Sequence, residues 1–397
     1  MNISREILKK AEQYRNYSAN NLSAIVKIPS LSSVEEEVIK KLSELCLEAG
    51  FDEVRIDGLG SLVARIGYGP QKLAIDAHID TVDTGEKSQW DRDPFSGDIS
   101  EGKVFGRGTV DQKGGAASMI TAGRILKELN YSGNYSIYFT FTVMEEDCDG
   151  LCWNYLIEKE KLVPDFAVST EPTNLAIYRG HRGRMEMEVF FKGLSAHGSA
   201  PERGENAIYK AARAALEIEK LHLNLATDEF LGKGSITTTF FKSSSPSLCA
   251  VPDESMIHLD RRLSWGETLE SSVNEVKKAI GGSGEVKVPL YDTPSFKGTV
   301  FKQEKYFPTW KIPESHELVV AGRNTFEELF EVSPRIDKWV FSTNCVAICG
   351  KHKIPCIGFG PGNEIYAHAP NEAILIDDLQ KASAFYAFLP YILDRKK

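Results

Sequence analysis

Long hydrophobic runs are missing from this sequence. No apolar stretch in its 397 residues approaches the roughly 20 needed to cross a bilayer, and the short run at 346–349 reads as buried core. The first 16 residues lack the form of a secretory leader. Arg5, Lys9, Lys10, Glu12 and Arg15 are interleaved there with Ile3, Ile7, Leu8 and Ala11, the pattern of a surface helix. Basic clusters are missing too: the formal charge is −9 and no Lys/Arg cluster stands out to neutralise phosphates, which argues against nucleic acid as a partner. The seven cysteines are odd in number and scattered. Although Cys148/Cys152 and Cys345/Cys349 share a C-x-x-x-C spacing, they read as reduced thiols. Low-complexity tracts and internal repeats are absent as well. These absences predict a soluble, cytoplasmic protein whose partner is a small molecule, with no role at a membrane.

What is present is an ordinary globular composition, 42% apolar and 26% charged, on a chain long enough for more than one domain. Strand-like runs at 61–66, 73–77 and 135–143 alternate with helical periods at 34–49, 113–129 and after Gly150. Such alternation predicts an α/β layer whose ligands gather in loops beyond the strand ends. From 184 to 289 the order becomes strand (185–192), helix (207–221), two strands (235–241, 255–263), helix (268–280) and strand (285–288). This β-α-β-β-α-β order is that of a ferredoxin-like unit, read here as an inserted second domain over 184–289. A strand at 356–359 then completes the first sheet and an apolar helix over 374–393 follows. The first domain therefore comprises 1–183 and 290–397, with a hinge expected near 180–183 and 289–294.

Polar residues stand where the apolar strands stop. In Ala74-Ile75-Asp76-Ala77-His78-Ile79-Asp80 a strand ends in His-x-Asp, whose two side chains share a face. His78 can ligate a divalent cation while Asp80 orients a ring by hydrogen bonding, although such short strings also occur on surfaces and in satisfied cores. Gly106-Arg107-Gly108-Thr109-Val110-Asp111-Gln112-Lys113-Gly114-Gly115 is a glycine-rich approach to a helix. Asp111 could bridge two cations there, or cap the helix; neither phosphate-loop motif is present.

The strand at 135–143 runs into Met144-Glu145-Glu146-Asp147. Adjacent strand residues point in opposite directions. A bend is therefore required if Glu146 is to bind metal while Glu145 acts as general base in the same site; a solvated acidic loop is the other reading. Glu171, in Ser169-Thr170-Glu171-Pro172, and His368, in Ala367-His368-Ala369-Pro370, each read alone as turn or loop residues. Together, two histidines and three carboxylates from separate strand-end loops suit a pair of borderline-hard cations.

With these motifs in this order, the sequence resembles the zinc-dependent aminoacylase, acetylornithine deacetylase and succinyl-diaminopimelate desuccinylase family over nearly its whole length. The resemblance implies a di-zinc hydrolase catalytic domain, a mixed sheet flanked by helices, with the inserted unit serving as lid and dimerisation domain. It implies His78 and Glu171 on one zinc, Glu146 and His368 on the other, and Asp111 bridging, with cobalt or manganese as substitutes. Asp80 becomes the orienter, Glu145 the base, and the Asp111-Gln112 peptide bond cis. His197, in Gly193-Leu194-Ser195-Ala196-His197-Gly198, matches a histidine that donates to the developing oxyanion from the partner subunit of a homodimer. Arg262 matches an arginine that holds a substrate carboxylate, with a structural salt bridge as the alternative.

Where many members read Gly-Thr-Asp-Ala, this chain reads Ser342-Thr343-Asn344-Cys345, which puts Asn344 in the place of a substrate contact. The segments Trp339 to Asn344 and Gly358-Phe359-Gly360-Pro361-Gly362 most resemble a subgroup called YgeY-type, selenium-metabolism-linked hydrolases, yet no selenium-handling chemistry stands in these residues. The implied activity is amide hydrolysis in a small N-acyl amino acid, with dipeptides or carbamoyl amides as alternatives. A non-catalytic, metal-containing binding protein is the competing class, and an intact Glu145 with a complete ligand set argues against it.

Overall fold

The computed structural model describes residues 3–395. At the centre of its nine-stranded sheet lie four parallel strands, in the order Tyr135–Thr142, Gln71–His78, Phe166–Ser169 and Cys356–Gly358. Leu62–Ile66 and Glu53–Ile56 extend one side antiparallel. On the other side Ile177–His181 pairs antiparallel with Cys356–Gly358 and carries both Trp310–Lys311 and Ile336–Trp339. Helices Glu36–Glu48, Gly114–Glu128, Glu317–Phe330 and Ile376–Asp394 pack on this mixed sheet.

Because both faces are covered, the inner strands are buried almost end to end, which is why Leu73, Ala74, Ile75 and Ala77 or Ile137, Phe139 and Phe141 dominate them. Each large aliphatic side chain buried there contributes about 1.5–3 kcal/mol. The expected N-terminal helix runs Ile3–Gln13, with Ile7 and Ala11 buried; its first two expected residues lie outside the described ones. A second helix, Arg15–Val26, was not legible, since buried Ser18, Asn21 and Ser23 blur its apolar period.

The second sheet is antiparallel, in the order Ser235–Ser244, Glu254–Leu263, Gly183–Lys192, Glu285–Lys287. Helices Ala207–Leu223 and Leu269–Ala279 cover one face, reproducing the ferredoxin-like order. Asn206 starts the first helix by accepting from the N–H groups of Ile208 and Tyr209, and Thr268 with Ser271 forms a capping box for the second. A separate core of Met185, Met187, Val189, Ile218, Ile257 and Leu259 lies beneath. Tyr306–Phe307, from beyond residue 289, also pairs with Gly183–Lys192. Along Gly183–Lys192 burial alternates, so Arg184, Glu186 and Glu188 stand on the face away from that core.

No described helix is long and apolar enough to cross a membrane. All seven cysteines are free thiols.

Candidate metal centre

The carboxyl ends of the four parallel strands open on one edge of the sheet, where ligands collect in folds of this kind. His78 ends one strand, Glu145 and Glu146 follow Thr142, Glu171 follows Ser169, and His368 lies in the loop beyond Cys356–Gly358. Asp111 arrives from the segment ahead of helix Gly114–Glu128 and is followed by a cis Asp111-Gln112 bond, as the resemblance implied.

Asp111 divides its two oxygens between two groups of side chains. Oδ1 is 2.9 Å from His78 Nε2, which lies 3.6 Å from Glu171 Oε1. Oδ2 is 3.2 Å from His368 Nε2, which lies 3.1 Å from Glu146 Oε2. Glu145 Oε2 is 3.9 Å from His78 Nε2, and its Oε1, like that of Glu146, is buried without a hydrogen-bond partner. His78 Nδ1 donates to the Asp80 carbonyl at 2.9 Å, which turns Nε2 toward Asp111 and Glu171.

The crowding of carboxylates calls for positive charge. Burial raises Glu145, Glu146 and Glu171 above the usual carboxylate range, and their negative neighbours raise them further. Burial alone would pull His78 down, yet Asp111, Asp80, Glu145 and Glu171 push it well above the imidazole range. Asp111 and Glu146 hold His368 up at about 10, and against its burial the two imidazoles keep Asp111 low. Imidazole nitrogens and carboxylate oxygens in this ratio are the donor set of zinc-like divalent cations. Two overlapping triads of donors, His78/Glu145/Glu171 and His78/Asp111/Glu146, lie within one coordination sphere's reach, and the second oxygen of Asp111 extends the donor set to His368 and Glu146. The residues present therefore fit a pair of cations.

The bend that lets adjacent glutamates share a site falls at Met144, whose φ is +62°. A buried carboxylate that sequence reasoning missed holds it: Glu35 Oε1 accepts from Met144 N at 3.0 Å and Ser33 N at 2.9 Å. The Asp80 carboxylate completes the turn. Rather than gripping His78, from which it lies 3.6 Å, it accepts from the backbone of Glu145 (3.2 Å) and Glu146 (3.0 Å) and from Ser32 Oγ (2.7 Å). Glu372, also missed, secures the Asp111 loop by accepting from the N–H groups of Gly108, Val110 and Asp111 and from Arg107. Gly108 permits that loop at φ +88°, a conformation few other residues adopt.

A cavity of about 350 Å³ opens over the cluster, walled further by Asp149, Arg184, Arg262, Phe341, Ser342 and Glu364. Of these walls, Arg262 is held by Asp260 at 2.8 and 3.1 Å. Asn344 is not a wall residue. It is buried with its amide fully engaged, donating to Asp76 and Thr142 and accepting from Gly150 N and Cys152 Sγ, so the expected substrate contact gives way to a structural role. The structure brings Phe341 and Ser342 from the same segment to the cavity instead. His197 lies outside the cavity of its own chain, exposed, with Nδ1 accepting from Ser199 N at 3.1 Å; this leaves the ring proton on Nε2.

Sites of this geometry belong to hydrolases that work with paired divalent cations. This chain belongs to the peptidase family M20/M25/M40, matched over residues 74–390, and is a metallo-hydrolase of amide bonds. YgeY of Escherichia coli (strain K12), an uncharacterized protein, is 47% identical over 387 residues, covering 97% of this chain and 96% of that one. A probable succinyl-diaminopimelate desuccinylase of Staphylococcus epidermidis (strain ATCC 35984) is 28% identical, covering 90% of this chain and 92% of its own. The M20 family metallo-carboxypeptidase Sso-CP2 from Sulfolobus solfataricus shares the fold at a TM-score of 0.75 and 19% identity, over 94% of this chain and 99% of its own.

Proposed function

We propose that the protein removes the acyl group from a small N-acyl amino acid, using two zinc ions held by His78 with Glu171 and by Glu146 with His368, Asp111 serving both. The observation that carries this reading is the division of Asp111, one oxygen facing each histidine–glutamate group. The name of the Staphylococcus relative, a probable desuccinylase, supports acyl removal.

The cations supply Lewis-acid chemistry, polarising the amide carbonyl and making water a nucleophile near neutral pH. Glu145, its Oε1 without a hydrogen-bond partner, takes the proton of the attacking water and delivers it to the leaving nitrogen. Glu35 and Asp80 hold the turn that brings Glu145 and Glu146 to one cavity.

The unit over 184–289 is the lid and dimerisation domain of this reading. Its edge strand Ser235–Ser244 carries exposed Phe240 and Phe241, and exposed Leu248 follows. These exposed side chains on an edge strand support a homodimer in which His197 Nε2 of one subunit reaches the oxyanion in the other. Seven free thiols support a reducing, cytoplasmic setting.

The test is to strip metal with a chelator, restore zinc, and follow amine release from N-acyl amino acids, dipeptides and N-carbamoyl amino acids. Zinc-dependent cleavage of the first group is expected. Two bound zincs without turnover on any of them would reject the reading.

A further inference from the structure

The two sheets also touch outside the cavity. A short hairpin, Thr227–Asp228 paired with Gly232–Lys233, leads into the edge strand Ser235–Ser244 of the second sheet. Asp228 shapes its turn, Oδ1 accepting from the N–H groups of Phe230 and Leu231 at 3.0 and 2.8 Å. Gly234 N donates to the Ala226 carbonyl and Ser264 Oγ to that of Gly232, so the hairpin is tied to its own sheet.

Its tip is held by cations of the other sheet. Ile177–His181 and its neighbours Trp310–Lys311 and Ile336–Trp339 contribute Arg179, Lys311 and Lys338. The Arg179 guanidinium lies 3.7 Å over the Phe230 ring. Lys338 Nζ approaches the same ring at 5.1 Å and donates to the Phe230 carbonyl. Lys311 Nζ donates to Asp228 Oδ2 at 2.5 Å, and Arg182, where the chain crosses between the sheets, donates to the Lys233 carbonyl at 2.7 Å.

Both sides of this contact run straight into the cavity walls. Ser235, next after Gly234, is the cross-strand partner of Arg262. Lys338 leads through buried Trp339 to Phe341 and Ser342. Arg262 lines the cavity from the second sheet, and Phe341 and Ser342 line it from the first.

We propose that the hairpin 227–233 is a strut that fixes the spacing of the two sheets at the cavity, with Phe230 as a positioning residue for the substrate. The inference rests on the hydrolase reading for where substrate lies. Units joined through polar contacts move against each other unless something fixes them, and a ring shared by two cations beside an ion pair does so without apolar burial. His78, Asp111, Glu146, Glu171 and His368 all belong to the first sheet and its loops, so loosening the strut spares the metal centre and separates only the walls. Substrate binding weakens while the chemical step is kept.

The test breaks the strut in two independent ways in the zinc-loaded enzyme. Phe230→Leu keeps apolar bulk and removes the π-face; Lys311→Met removes the ion pair. Each should raise KM for the N-acyl amino acid about 3- to 10-fold with kcat and zinc content held, while Phe230→Tyr and Lys311→Arg behave as the parent. Amide hydrogen exchange should quicken at 259–263 and 339–343 in the first two variants and hold at 71–78. Exchange that quickens only within 227–233 overturns the strut, as does an unchanged KM or a Phe230→Tyr enzyme that matches Phe230→Leu. Failure of the wild-type enzyme to cleave any amide counts instead against the hydrolase reading, and exchange at 259–263 and 339–343 still decides the strut.

Discussion

The two sheets use polar residues in opposite ways. In the parallel core of the first, Gln71–His78 and Tyr135–Thr142 are sealed on both faces, so chemistry waits until the strands end at His78, Glu145 and Glu171. In the second, Gly183–Lys192 alternates, burying Met185, Met187 and Val189 while Arg184, Glu186 and Glu188 line the other face along its length. A covered sheet concentrates function at one rim; a sheet covered on one face spreads it across the other. The two combine because the open face of the second meets the rim of the first at the cavity, where Arg184 and Arg262 face the metal ligands.

The largest expected effect comes from the rim. Glu145→Gln should lower kcat by about 10²- to 10⁴-fold with metal content unchanged, as checked by turnover and elemental analysis. A loss of metal in that variant would make Glu145 a ligand and blur the separation of roles.

Core truncations sharpen the comparison next. Ile75→Ala and Leu259→Ala, both fully buried, should each cost about 2–5 kcal/mol in denaturant unfolding. Only the first, on the strand that ends in His78, is expected to weaken zinc binding as well.

The junction between the sheets gives a smaller, pH-dependent effect. His181 is fully buried, packed edge-on against Trp310 and Trp339, with Nδ1 donating to the Arg182 carbonyl at 2.8 Å and Nε2 accepting from Thr343 Oγ1 at 3.0 Å. Burial lowers it from 6.5 to about 4. The unfolded chain therefore binds this proton first, and the stabilisation, present above pH 6.5, is lost as pH falls toward 4. The loss amounts to roughly 3 kcal/mol at most. His181→Asn should flatten the slope of unfolding free energy across that window. The smallest effect belongs to the exposed Lys192–Glu254 pair, where Lys192→Ala should leave the unfolding midpoint unchanged.

What the sequence disclosed follows the same division. His78, Asp111, Glu145, Glu146, Glu171 and His368 were legible because each interrupts or follows an apolar run, and a covered strand leaves no other place for such residues. Arg184 and Asp149 were not. The first takes its meaning from strand register, and the second sits in an acidic run that reads as solvated surface until the fold buries it. Glu35 acts across 109 residues on Met144, a separation that no local pattern records. Asn344 was misplaced because its segment touches the cavity through Phe341 and Ser342 while the next turn goes into the core.

The strand Cys356–Gly358 lies between Phe166–Ser169 and Ile177–His181, two strands made much earlier on the ribosome. Until it emerges, the facing edges of those strands wait unpaired, a template for wrong partners, while the intervening second sheet has all its β-α-β-β-α-β elements and can settle first. His368 emerges later still. The metal centre therefore closes only after every strand of both large sheets has emerged, so a nascent chain carries no finished hydrolytic site before its second sheet is complete.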